Sequence, residues 1–414
     1  MSFANRALPY TLALYAVAVL TTMAGMEIFG WLSFALTLVI LIGDRTWIRR
    51  PVLEKSDWAF LGLMLVIILS ALIAAPATSD KVFIIGNARF VLLFIGLRLA
   101  LEFVGLKRME SFSRLLVILI GLISAYTIFQ HFTGIDYIRG HREPVSKVFF
   151  GDSFAYRGRG MWGHPVTFGH SMALSFCMVA AYAVALPMKS RWKWIATAVS
   201  ILSALSLLWS YTRGAWIGVA AAVAVMTMYL GRRIAVIAAG SGAAALILAV
   251  SLSSNFRARL LSVVSLTDTS NTQRLDVWKA NIAMFLDHPI LGVGYGVNEE
   301  IIGDYYTKLG IVQEFGGHAH NNYLQFLAGT GLLGFFAFLS ATALLLWMSH
   351  RLLREIPRSE FWPRALVLGA LGAQIALHFG GLTECNFKDA EVNHQYMLIL
   401  AILTVAWRSK RQSV

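Results

Sequence analysis

Long apolar runs, each closed by a short polar or charged segment, recur along almost the whole chain. Runs of membrane-spanning length fall at about 8–25, 27–43, 58–76, 82–104, 113–133, 166–187, 194–210, 214–230, 233–253, 321–347, 364–383 and 392–408. Lipid offers no partner to an unpaired backbone amide, so each run is predicted to be a helix. The pattern predicts an all-α polytopic membrane protein of about twelve transmembrane helices, one integral-membrane domain over residues 1–414. Arg6 precedes the first run and no small-residue cleavage site follows, which predicts a retained first helix. Two interruptions are long, at about 134–165 and 254–320. In the second, Ser270-Asn271-Thr272-Gln273 fits a capping box, and Leu275, Trp278, Ile282 and Phe285 follow at helical spacing until Asp287-His288-Pro289. That predicts an amphipathic helix lying near the membrane–water boundary.

Composition agrees and narrows the class. With 57% hydrophobic and 14% charged residues, the chain holds more apolar surface than one soluble core can bury. A soluble enzyme, a disordered chain and a secreted disulfide scaffold are excluded. Cys177 lies in an apolar run and Cys385 in a short polar segment, so the two form no disulfide or metal framework. The net charge of +13 would suggest nucleic acid in a soluble protein, but here its distribution carries the information. If the N-terminus is cytoplasmic, 20 of the 35 Lys and Arg fall in cytoplasmic loops and tails. The short outer loops carry only Lys81, Arg213 and Lys388. This asymmetry predicts cytoplasmic N- and C-termini. The two long segments, which are then extracytoplasmic, hold ten Lys and Arg against the bias, as expected of a surface built to hold an anion.

The candidate chemistry sits on that outer face. His320 opens a helix after the pair Gly316-Gly317, where a neutral imidazole is placed to act as a general base. Arg213 occupies a very short turn between two apolar helices, as a phosphate clamp would. Arg274 falls in the first turn of the amphipathic helix, where free N–H groups favour an anion; Asp276, two residues on, points away from it. Arg139, Arg142, Arg157 and Arg159 cluster with His141 and His164, and Arg142 and Arg159 are the expected substrate contacts. Forked guanidiniums suit a phosphate better than lysines do. His318-Ala319-His320 offers two metal ligands, but a third must come from far along the chain. The nearest acidic pair, Asp389-Ala390-Glu391, lies in the last outer loop, so no metal and no cofactor are expected. Gly292-Val293-Gly294-Tyr295-Gly296 follows a helix rather than a strand, and reads as a tight turn rather than a dinucleotide fingerprint. Arg98 and Glu102, four apart, are predicted to pair structurally.

His320-Asn321, nine residues, then Gly331-Leu332-Leu333-Gly334 resembles H-[NSQ]-x9-G-x-x-[GTY], the signature of bacterial O-antigen ligases (the WaaL family) in the O-antigen ligase/polymerase superfamily. Ser210-Tyr211-Thr212-Arg213-Gly214-Ala215-Trp216 supports it, as does Arg274 with Trp278 leading into His288-Pro289-Ile290-Leu291-Gly292-Val293-Gly294. The resemblance runs from about residue 120 to 345. It implies a GT-C-like glycosyltransferase of the bacterial inner membrane that moves O-polysaccharide from undecaprenyl diphosphate to lipid A–core on the periplasmic face. Its partners would be that lipid-linked donor, the lipid A–core acceptor and membrane lipids, with no nucleic acid. His320, Arg213 and Arg274 would be catalytic; His318 and Asn321 join Arg142 and Arg159 as expected substrate contacts. An O-antigen polymerase, a protein O-oligosaccharyltransferase and, less closely, a transporter are the alternatives.

Overall fold

The computed structural model describes residues 3–43, 52–139, 145–150, 153–262, 269–312 and 316–412. Sixteen α-helices are seen among them. The first six are α1 (Phe3–Thr21), α2 (Met23–Gly43), α3 (Lys55–Leu69), the short α4 (Lys81–Gly86), α5 (Arg89–Val104) and α6 (Leu106–Thr133). A hairpin follows, β1 (Lys147–Phe150) antiparallel to β2 (Ser153–Tyr156), with Phe150 opposite Ser153. Then come α7 (Pro165–Ala185), α8 (Arg191–Trp209), α9 (Arg213–Thr227), α10 (Arg232–Leu252), α11 (Ser254–Leu261), α12 (Thr269–Asp287) and α13 (Ile302–Leu309). The chain ends in α14 (Asn322–Glu355), α15 (Phe361–Gly380) and α16 (Ala390–Gln412).

Every predicted apolar run is helical. Among the described residues, nine helices are long and apolar enough to cross a bilayer, so the fold is an all-α polytopic membrane protein. The count falls below twelve for two physical reasons. Helix α9 has 15 residues, short of a full span. Helices α15 and α16 are largely enclosed by their neighbours and carry buried Gln374, His378, Asn393 and Gln395, which a lipid-facing helix would not tolerate. Helix α15 packs on α7, α9 and α14, and α16 packs on α5. Edge helices turn Ile28, Leu122, Ile201 and Leu248 outward, as lipid contact requires.

The predicted Arg98–Glu102 pair is present at 2.6 Å, and Arg98, fully buried, also reaches Asp57 at 2.6 Å and the Val52 carbonyl. Enclosing a charge without such partners costs several kcal/mol.

The capping-box expectation needs correction. Helix α12 already includes Thr269 and Ser270, so Ser270 is inside the helix rather than its cap. The helix is amphipathic in an unequal way. Val277, Ala280 and Met284 pack against Val293, Val297 and Tyr306, while of the predicted stripe Leu275 and Ile282 face outward and Trp278 and Phe285 are half-buried.

The signature glycines have a mechanical reason. Gly331 (φ 60°) kinks α14, and a Cβ there would meet the Ile290 carbonyl carbon and oxygen at 2.4 Å. Into that kink the turn after α12 docks by its backbone: Val293 and Gly294 donate to the Ala328 and Gly329 carbonyls, and Leu332 donates to Pro289. The two motifs are thus locked to each other. Gly292-Val293-Gly294-Tyr295-Gly296 forms the expected turn, with positive φ at its three glycines.

Candidate functional site: a cationic cavity at one end of the bundle

The connections that follow α6, join α8 to α9, precede α14 and join α15 to α16 all bring described residues to one site. They enclose a cavity of about 530 Å³ lined by Arg157, Arg213, Arg259 and Arg274, with His164, His170, His318, His320, Glu384 and Asp389. The expected trio of His320, Arg213 and Arg274 is therefore brought together from positions up to 107 residues apart, counting from Arg213 to His320.

The arginines converge on the α8–α9 turn. Thr212 Oγ1 donates to the Pro165 carbonyl, fastening the turn to the start of α7. Arg157 Nε donates to the Ser210 carbonyl at 2.9 Å and Arg259 Nε to the Tyr211 carbonyl at 3.4 Å. Arg213, first residue of α9, donates to the carbonyl (2.8 Å) and Oγ (2.9 Å) of Ser262. Burial, then the charges of Arg259 and Arg213, bring the Arg157 guanidinium down to about 9. Guanidiniums held this close create a strong field for an anion.

Glu384 lies among them. Its Oε1 lies 2.9 Å from His320 Nδ1 and 3.5 Å from His318 Nε2, and its Oε2 lies 3.7 Å from Arg274. Burial alone would raise its pKa. The His320 hydrogen bond and the charges of His320, His318 and Arg274 outweigh burial and hold it down at about 2. An ionised carboxylate only accepts, so His320 Nδ1 carries a proton, and in the neutral ring this leaves Nε2 as the basic nitrogen, the tautomer a base needs. Burial lowers His318 from its ordinary value, partly offset by Glu384. Tyr211 and His320 are the two non-glycine residues with positive φ among those described, at 52° and 46°, and both line this cavity. Backbone strain is thus concentrated where the chemistry is placed.

His318, His320 and Glu384 place one ligand atom each within 4.8 Å of one another, so the third ligand absent nearby in the sequence is supplied in space by Glu384. A cation there would have to share that single carboxylate with Arg274 and face three more guanidiniums lining the same cavity.

Asp389 borders the cavity and accepts from Thr167 Oγ1 at 3.0 Å. Burial, and next the Glu384 charge, raise its carboxyl to about 7. The folded value lies above the unfolded one, so the contribution is full below about pH 4 and is lost as pH rises through about 7. Asp389→Asn should therefore melt with wild type at pH 4 but several degrees higher at pH 8.5. Equal melting temperatures at both values would show that Asp389 does not titrate as described.

The other expected residues divide. His318 lines the cavity. Asn321 instead caps α14, accepting from Tyr323 and Leu324 N–H and donating to the Leu382 carbonyl, so it holds the loop that carries His320. Arg159 turns toward α6, donating to Asp136 at 2.8 Å, while Gln130 holds its backbone N–H. Its neighbour Arg157 reaches the cavity in its place. Arg142 and His141 lie outside the described residues. Asp276 pairs with Lys279 at 2.9 Å, leaving Arg274 to Glu384 as the i, i+2 geometry implies. Sequence reasoning missed Arg259, Glu384 and His170. The cation excess of the outer segments was the signal for Arg259, but Glu384 had none beyond being an acid in a short outer loop.

No curated protein matches the chain. Residues 198–339, which carry Arg213, Arg259, Arg274, His318 and His320 but not Arg157, His170 or Glu384, match the family model described as O-Antigen ligase. That match supports placing this multi-pass membrane protein in the O-antigen ligase/polymerase superfamily of glycan-transferring enzymes.

Proposed function

We propose that the protein is an O-antigen ligase, transferring O-polysaccharide from undecaprenyl diphosphate to a sugar of lipid A–core. The observation that carries this reading is the single cavity in which four arginines surround the His320–Glu384 pair. A diphosphate leaving group needs its negative charge neutralised as its bond to the sugar breaks, and guanidiniums do so without nucleotide or metal. In the proposed step an acceptor hydroxyl oxygen attacks the anomeric carbon of the donor sugar. Its proton passes to His320 Nε2, and the bond from that carbon to the diphosphate oxygen breaks with its electron pair on undecaprenyl diphosphate. One displacement inverts the anomeric centre. Glu384 holds the imidazole and stabilises the imidazolium, while Arg213 and Arg274 bind the leaving group, joined by Arg157 and Arg259. The shared, arginine-held carboxylate makes a dication a poor occupant of the His318–His320–Glu384 cluster, so the reaction is taken as metal-independent.

The Lys and Arg asymmetry supports an orientation with this end of the bundle periplasmic and both termini cytoplasmic, in the bacterial inner membrane that the proposed reaction requires. One experiment tests orientation and reaction together. Sealed vesicles holding the protein and a lipid-linked glycan are given each acceptor from outside. Transfer to lipid A–core in right-side-out vesicles, and none in inverted ones, is expected. Extension of a second lipid-linked glycan would make the protein a polymerase, and transfer to a peptide a protein O-oligosaccharyltransferase. Transport of the donor without transfer would make it a transporter.

A further inference from the structure

The cap and first turns of α7 present His164, Thr167 and His170 to the cavity at intervals of three residues, and His170 is 1% exposed. A chain of amides fixes its ring. Phe387 N–H donates to Asn322 Oδ1, so Asn322 Nδ2 is the donor to Asn386 Oδ1 at 2.7 Å. Asn386 Nδ2 then donates to the Leu377 carbonyl at 3.0 Å and faces His170 Nδ1 at 3.1 Å. Backbone groups anchor both ends of this chain, so neither amide can be turned round. His170 Nδ1 is therefore an acceptor, and the ring proton sits on Nε2. Among the described residues that buried Nε2 has no hydrogen-bond partner. The ring is packed closely against two glycines. A Cβ on Gly380 would lie 2.8 Å from its Cε1, and one on Gly214, beside Arg213, would lie 3.5 Å from the same atom.

A buried, oriented and unsatisfied N–H costs free energy unless a ligand completes it. Being donor-only, it suits an acceptor-only atom; a sugar hydroxyl would bring a proton that itself needs an acceptor. The acceptor-only atoms that four guanidiniums gather are phosphate oxygens. We propose that His170 Nε2–H is a binding donor to a phosphate oxygen of the diphosphate, an uncharged and directional contact beside the arginines. This rests on the diphosphate reading above and adds to it the contact that fixes which oxygen lies at the floor of the cavity.

The test measures the affinity of purified full-length protein in detergent for inorganic pyrophosphate. His170→Asn keeps an acceptor for Asn386 but withdraws the donor from the cavity, and it should weaken binding about tenfold, the usual loss of a hydrogen bond to a charged group. His170→Gln, whose amide reaches the Nε2 position, should stay within about threefold of wild type. Wild-type affinity in folded His170→Asn overturns the proposal. If that variant does not fold, His170→Met, of similar reach without a donor, decides in the same way. If neither folds, histidine-labelled wild-type protein decides: pyrophosphate should shift the His170 ring N–H resonance, assigned by its loss in His170→Gln, and an unmoved resonance overturns the contact. Arg274→Ala separates the two ideas. Weakened binding there with none in His170→Asn sinks the histidine contact alone, whereas no binding by wild type sinks the diphosphate reading and the contact with it.

Discussion

Replacing His320 by alanine is expected to cut turnover at saturating donor by about 10²–10⁴-fold, with donor affinity close to wild type. The split follows from the role. A neutral imidazole contributes little to holding a diphosphate, but in the transition state it takes the acceptor proton, so its loss appears in kcat. Its fitness as a base depends on Glu384, whose ionised carboxylate sits 2.9 Å from Nδ1. Glu384→Gln keeps the size and loses the charge, so the imidazolium is no longer stabilised and Arg274 loses its carboxylate. Turnover should fall in that variant too, because the imidazolium formed in the step loses the carboxylate that stabilises it. Normal turnover in His320→Ala, in protein shown to be folded and inserted, would end the proposed mechanism.

Arg213→Lys and Arg274→Lys should each lower kcat/KM by about 10–10²-fold, and the loss should be shared between donor binding and turnover. Each variant keeps its charge and loses the fork. Long-range attraction persists, but two-point positioning of the diphosphate fails, and charge grows on the leaving group as the bond breaks. Arg213 also loses its two bonds to Ser262, which tie α9 to the end of α11. Part of its effect should therefore appear as a lower melting temperature, which Arg274→Lys should not share. The double variant should cost less than the sum of the two, since both groups act on one bound anion. Strict additivity would leave the histidine standing and move the diphosphate toward Arg157 and Arg259.

Much of the fold was legible because bilayer thickness sets one length scale and lipid permits one backbone solution. That is why each predicted run is a helix, and why α15 and α16, shielded by neighbours, fall short on apolarity while still being helical. The site was legible where chemistry and position coincide. His320 lies just before the cap of α14 and Arg213 opens α9, and both stand where polar sequence changes to apolar. It was illegible where side-chain direction decides. Arg157 and Arg159 are two residues apart in one polar segment, and nothing in their spacing says that one meets the Ser210 carbonyl and the other Asp136. Glu384 and His170 were missed for a related reason. Their importance lies in partners 64 and 216 residues away, His320 and Asn386, and such pairings are set by how the helices stack. Asn321, which motif reasoning placed against substrate, shows the converse: its amide is occupied by the cap of α14.

The most direct test of the central claim is the stoichiometry of the reaction with divalent cations removed. Purified protein, undecaprenyl-diphosphate-linked glycan and lipid A–core are combined in excess EDTA, and glycan transferred and free undecaprenyl diphosphate are counted together. The account predicts one undecaprenyl diphosphate released for each glycan joined, at a rate unchanged by the chelator. Transfer that stops in EDTA and returns with Mn²⁺, Mg²⁺ or Zn²⁺ would contradict it, and would turn His318, His320 and Glu384 from a base and its support into metal ligands.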